Sequence, residues 1–469
     1  MKLRILPESF WKHWANKKMP LNATQQAAVS RASPIRVAQI FSELAENWPT
    51  TRWLKANNRY AINCKEKIDT DTSPSGYVRH GQLSSYIAAS SVIHCMDGWS
   101  YAARAMEAEL SGDVDAARHL AYYAELRAAM SLLAGTGLGV FDKKHFAVRA
   151  DKRCERINGP THVFVWEALE YWAQQPTATD LLLRVIQPGG KPLSEWLEHF
   201  PPTAGGRFRS VLATQWFLNW GLDLQRFASD RNARNESSYR PINIAPRRRP
   251  TIDQSLDFIE QFWRTNEPSG LNSFKEIDRH LLRRSLAFAF KANHSSNRNP
   301  QRVPAQFARL VELVFHALLP TSGDFSEIQW RQFLDYRRPI VENQIVIEAE
   351  KSDPVGSPMH HLQVIARATI LLRVATGATR IILAGLSRPE LDQLSFWWRP
   401  IGETRGFWEP GAPPAQFIDL WEDVDLSLAR LTAWRTSGGG SKKGLIAGAA
   451  EVMRSLSSCE RIALWGLGL

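Results

Sequence analysis

Within the stretch DRNARNESSYRP, Asp230 to Pro241, a guanidinium, an amide and a phenol stand close together as Arg234, Asn235 and Tyr239. A guanidinium clamps a phosphate through two parallel N–H donors, and an amide can orient it. Arg226, Arg231, Arg240, Arg247, Arg248 and Arg249 extend the segment, so seven arginines stand against Asp230 and Glu236 alone between residues 226 and 249. Such an excess of cations releases counterions from a polyphosphate, and a phosphate-binding surface is expected. The competing reading is a solvated turn in which Arg231, Arg234 and Asn235 cap a helix and pair with Asp230 and Glu236.

Metal-free cleavage of RNA needs a group that takes the 2′-hydroxyl proton or protonates the leaving 5′-oxygen, and a cation for the phosphorane charge. Histidine titrates near neutrality and suits the first task, whereas a phenol with a pKa near 10 does not unless strongly perturbed. The pattern therefore points to anion binding before catalysis. Other histidines offer little: His119 is placed opposite Tyr123, exposed and idle. His360 and His361 are neighbours that point apart and lack a third ligand, so no metal site and no cofactor is expected.

The elements that must carry these residues read as helical. SSYIAASSVIHCMDGWSYAARAMEAELSGD stops at Gly112 and Asp113, where a new helix starts. In the next run, DVDAARHLAYYAELRAAMSLLAGTG, the three-and-four spacing predicts that Ala121, Tyr123, Leu126, Met130 and Leu133 line the buried face of a central bundle helix. Of Tyr122 and Tyr123, one should be a core ring and the other half-exposed. GTGLG follows a helix and so reads as its C-terminal cap, not a dinucleotide loop. Lys144 and His145 then fall in a loop, KEKIDTDTSPSGYVRHG reads as a loop or domain boundary, and NQIVIEAE is the one candidate strand. TSGGGSKKG reads as flexible and lacks the order of a phosphate-cradling loop. Arg309 to His316 reads as a plain amphipathic helix. The expected fold is all-α, in multi-domain helical bundles: an N-terminal helical segment (1–85), a central bundle with a Trp-rich insertion (86–245), and a mostly helical C-terminal domain (250–469).

Gly112, Asp113, Ala116, Ala121 to Ala124, Ala129, Leu132, Leu133, Gly137, Lys144 and His145 resemble the early motifs of the HEPN superfamily of helical bundles. The family's later R-N-x-x-x-H motif is matched by Arg234 and Asn235, with Tyr239 where the histidine belongs. The resemblance spans about residues 86–245. It implies an RNA-directed effector or toxin-type protein of a bacterial defence or stress system, acting as a metal-independent ribonuclease, often as a homodimer. It also implies that Arg234, Asn235 and Tyr239 meet near Tyr122 at the mouth of a cleft, with the backbone bending before Pro241. The alternatives are a non-catalytic subunit that binds nucleic acid or a protein, and a structural scaffold docking through its tryptophans.

Composition suits such a chain. Its 469 residues, 44% hydrophobic and 22% charged, match folded domains and exclude global disorder. The net charge of +11 favours nucleic acid, RNA before DNA, or other acidic partners. Cys64, Cys95, Cys154 and Cys459 form no CxxC pair, against a zinc ribbon or disulfide scaffold. The start, MKLRILPESFWKHW, has no sustained apolar core of a signal peptide, and the apolar run near residue 370 is broken by Arg373 and Arg380. A cytoplasmic location without membrane partners is expected.

Overall fold

The computed structural model describes residues 21–46, 48, 51–198, 216, 217, 220, 222, 224, 226–239, 249–268, 274–294, 303–318, 325–338, 340, 342–354, 357–437, 444 and 448–469. The fold is all-α apart from one small sheet. Before the sheet come α1 (Ala23–Ser30), α2 (Pro34–Ala45), α3 (Cys64–Asp71), α4 (His80–Ser111) and α5 (Val114–Gly135). After it follow α6 (Thr161–Ala173), α7 (Pro176–Val185), α8 (Leu193–Glu198), α9 (Arg226–Tyr239), α10 (Ile252–Thr265) and α11 (Lys275–His294). Next are α12 (Val303–Leu318), α13 (Glu327–Leu334), α14 (Gln344–Glu350) and α15 (His360–Leu383). The chain ends with α16 (Arg388–Gln393), α17 (Ser395–Arg405), α18 (Leu420–Thr436), α19 (Ala450–Ser457) and α20 (Glu460–Leu467).

The helix boundary at Gly112 and Asp113 forms as its residues dictate. Gly112 takes φ +80, a conformation a side chain disfavours, and closes α4. The Asp113 carboxylate then accepts from Ala116 N at 3.0 Å and opens α5. So short a connection turns the two helices back on each other. Their antiparallel contact runs through Tyr101 stacked on Tyr123 (5.3 Å), Asp97 beside Arg127 (3.4 Å), and Ser131 Oγ donating to Ser91 O (2.6 Å).

Helix α15 lies against both. Nearly all its residues from His360 to Gly377 are buried, the pattern of a helix enclosed on every side. Trp99 Nε1 donates to Thr376 Oγ1 at 2.9 Å. At Gly98, an added Cβ would lie 2.6 Å from Leu372 Cδ2 and 3.5 Å from Ala128 N, so a small residue lets three helices meet. The arginines of this helix do not face solvent: Arg367 and Arg373 are buried and paired with Asp230 and Asp278. Among the described residues no helix is long and apolar enough to cross a membrane.

Four expectations are corrected. The Asp- and Thr-rich stretch after residue 63 is helical through α3, because the Asp71 carboxylate is fixed by Arg59 Nε (2.9 Å) and Tyr60 Oη (2.8 Å). NQIVIEAE forms α14 and not a strand: Asn343 caps it, accepting from Ile345 N at 3.0 Å, and packing on α15 overrides the β-branched run. Lys144 and His145 are not in a loop. They start the middle strand of an antiparallel sheet, β1 (Leu138–Gly139), β2 (Lys144–Val148) and β3 (Cys154–Asn158), with Phe146 opposite Gly139 and Arg156. The fourth concerns α9, which is a continuous helix from Arg226 to Tyr239 with no bend before Tyr239.

Segments at 438–443 and 240–248, which hold most of TSGGGSKKG and of the proline-rich boundary, lie outside the described residues. Arg309 and His316 stand on α12, both exposed, as a plain surface helix requires.

Candidate active site

On α5, His119, Tyr122 and Tyr123 follow one another at steps of three and four, so they share a face. His119 and Tyr123 rings are 5.1 Å apart, which corrects the opposed, idle placement of His119. Tyr122 is the core ring and Tyr123 the half-buried one. Ala121, Leu126 and Leu133 are buried as expected, while Tyr123 and Met130 are only partly covered.

The first turn of α6 brings His162 to the same place. Its Nδ1 lies 3.0 Å from Tyr122 Oη, a hydrogen bond in which either group can donate. One turn on, Trp166 stacks on Phe227 of α9 at 4.3 Å, nearly parallel, and holds α9 beside α5 and α6. Phe227, Asp230 and Arg234 repeat along one face of α9 and turn inward. Arg234 thereby sets its guanidinium carbon 5.4 Å from the Tyr122 ring centre and 5.6 Å from that of Tyr123.

This cluster is charged above and neutral below. Burial first, then the Arg234 charge, lowers the His119 pKa. Burial, then Arg234 and Arg231, does the same to His162. Both imidazoles are therefore neutral near pH 7 and able to accept a proton. When Nδ1–H of His162 donates to Tyr122, its Nε2 carries the lone pair. Burial pushes the Tyr122 phenol up to about 12, so it orients and does not titrate.

Beneath it α9 is pinned. Arg367 of α15 holds both carboxylate oxygens of Asp230, Nε at 2.9 Å and Nη2 at 2.8 Å, and Nη1 donates to Lys351 O at 3.2 Å. His360 Nε2 stands 3.9 Å from the same carboxylate. Glu125 of α5 lies 3.7 Å from Arg367 Nε and is wholly buried. Desolvation, then repulsion from Asp230, raises its pKa well above the ordinary range against the pull of Arg367, so it is a neutral acid.

The site residues named from the sequence divide as follows. Arg234 and Tyr122 come together. Arg231 and Asn235 are half-buried on the same helix, and Arg249 is exposed beyond it. Tyr239 ends α9, five positions after Arg234, and positions so spaced stand about 140° apart around a helix axis. The side chains of Arg226 and Tyr239, and residues Arg240, Arg247 and Arg248, lie outside the described residues. His145 has a structural place: it stacks on Phe164 at 4.0 Å, bonds Gly159 O through Nε2 (2.9 Å), and accepts from Phe141 N (3.2 Å). No group of His, Cys, Asp and Glu suited to a metal occurs among the described residues.

Sequence reasoning missed His162, Asp230 with Arg367, and Glu125. His119 was legible, since it precedes Tyr123 by four positions on one helix. Nothing local marks His162, which lies forty residues from Tyr122.

Compared with protein-family models, curated proteins and solved structures, the chain matches none.

Proposed function

We propose that this chain acts on RNA without a metal ion, at the site formed by Arg234, His162, His119 and the two tyrosines. The observation that carries the reading is Arg234 poised over Tyr122 while the same phenol fixes His162 at 3.0 Å. A neutral imidazole is a base for a 2′-hydroxyl, a second imidazole is in reach of the same face, and the arginine supplies charge for a phosphorane. The histidine wanting at Tyr239 is thus replaced from other helices. The resemblance to HEPN bundles adds the effector or toxin role in a bacterial defence or stress system, and a homodimer, to this proposal.

A second reading is a subunit that binds RNA without cutting it, favoured by the phenol of Tyr239 in the motif's last position. Incubating the full chain with tRNA and total RNA in excess chelator separates the two. Cleavage that falls by about 10²-fold or more in His162→Ala or His119→Ala, with melting temperature unchanged, supports the enzyme. Retention of RNA without cleavage supports the binding subunit. Neither cleavage nor retention rejects both.

A further inference from the structure

At the other end of α15 lies a second basic feature. Arg373, Gly377 and Arg380 of α15, Arg184 and Gln187 at the end of α7, and Phe274 before α11 line a cavity of about 230 Å³, open on one side. From Arg367 to Arg380 the helix rises about 20 Å, so this cavity is separate from the Tyr122 site.

Its back wall is built and rigid. Arg373 lies over the Phe274 ring at 4.5 Å and grips Asp278 through Nε (2.8 Å) and Nη2 (2.7 Å). Its Nη2 also donates to Val185 O at 2.8 Å, and the Gln187 amide donates to Asp278 Oδ2 at 2.8 Å. Asp278 is thereby occupied from two sides. A Cβ on Gly377 would lie 2.3 Å from Val185 Cγ1 and 2.7 Å from Arg373 Nη1, so glycine lets α7 and the guanidinium close on the helix.

The front is cationic. Arg184 and Arg380 are exposed at the opening, and none of the lining residues is acidic. Arg184 makes no ion pair among the described residues. The partial burial of Arg380, then the charge of Arg373, lowers the Arg380 pKa, a sign of cations crowded together. An anion entering here relieves that repulsion. Guanidinium groups match the oxygens of a tetrahedral oxyanion with paired donors. The volume falls below the roughly 300–1,000 Å³ of pockets that enclose a drug-sized ligand, so a compact group fits and a large ligand would protrude.

We propose that this cavity binds a phosphate group, as inorganic phosphate or the head of a small phosphomonoester, between Arg184, Arg373 and Arg380. Calorimetry of the full chain in chloride buffer, titrated with inorganic phosphate and separately with AMP, tests it. Saturable one-site binding of either is expected, falling about tenfold or more in Arg184→Ala and in Ala384→Glu. Both positions are exposed, so melting temperatures should hold. Phosphate binding without AMP binding identifies the free ion, and the reverse identifies the ester. Affinity no greater than for chloride, equal affinity in the two variants, or loss in them of RNA binding alone, overturns the assignment.

Discussion

Asp230 and Arg367 meet in a two-oxygen grip, each about 2% exposed, and this pair joins the helix bearing Arg234 to the central helix of the fold. Removing one partner strands a buried charge. Asp230→Asn or Arg367→Met should each lower stability by about 3–5 kcal/mol, while Asp230→Leu with Arg367→Met should recover most of the loss. Urea unfolding of the three proteins checks this. Additive losses in the double variant would show that the pair does not act as a unit.

Glu125 gives a test with a definite sign. Its folded pKa is raised, so the folded protein holds a proton that the unfolded chain releases above the ordinary carboxylate value. The associated stability is full below that value and is lost as pH rises toward the folded pKa. Glu125→Gln should flatten this decline between about pH 5 and 8 and change stability little at pH 5. Denaturant midpoints across that range measure it.

His145 works in the opposite direction. Burial lowers its pKa to about 4, against 6.5 unfolded, so its contribution is full above 6.5 and is lost as pH falls to about 4. The loss is of order 3 kcal/mol at most. Buried His280 and His360, both lowered to about 3, steepen the same acid limb. His145→Gln should lessen the slope between pH 6.5 and 4 without abolishing it, as read by chemical unfolding at each pH.

The candidate site can be followed by its own titration. His119 and His162 should titrate below 6.5, and Arg234→Gln should move both midpoints upward, since one of the charges lowering them is gone. Burial remains, so neither should reach the value of a free histidine. NMR of labelled histidine rings reads both sites, and unchanged midpoints would place Arg234 away from them in solution.

Local chemistry determined much of the helical framework. Gly112 tolerates positive φ and Asp113 caps, so the chain must stop and restart a helix there, whatever surrounds it. The three-and-four spacing in α5 likewise marks a buried face. It could not choose between Tyr122 and Tyr123, because adjacent positions are only about 100° apart and both border the stripe. That choice was made by α6 and α9, which cover Tyr122 with Trp166 and Arg234.

Tertiary structure alone decided the rest. KHFAV became a strand because Gly139 and Arg156 offered hydrogen-bonding neighbours on both sides of Phe146. Arg367 and Arg373, which look like interruptions in an apolar run, are buried because carboxylates from α9 and α11 arrive opposite them. His162 gained its partner across forty residues, and Glu125 lost its charge to a neighbour more than a hundred residues away. Spacing within a helix is written by the backbone's own period; which charges and rings face one another across helices depends on packing that no short stretch contains.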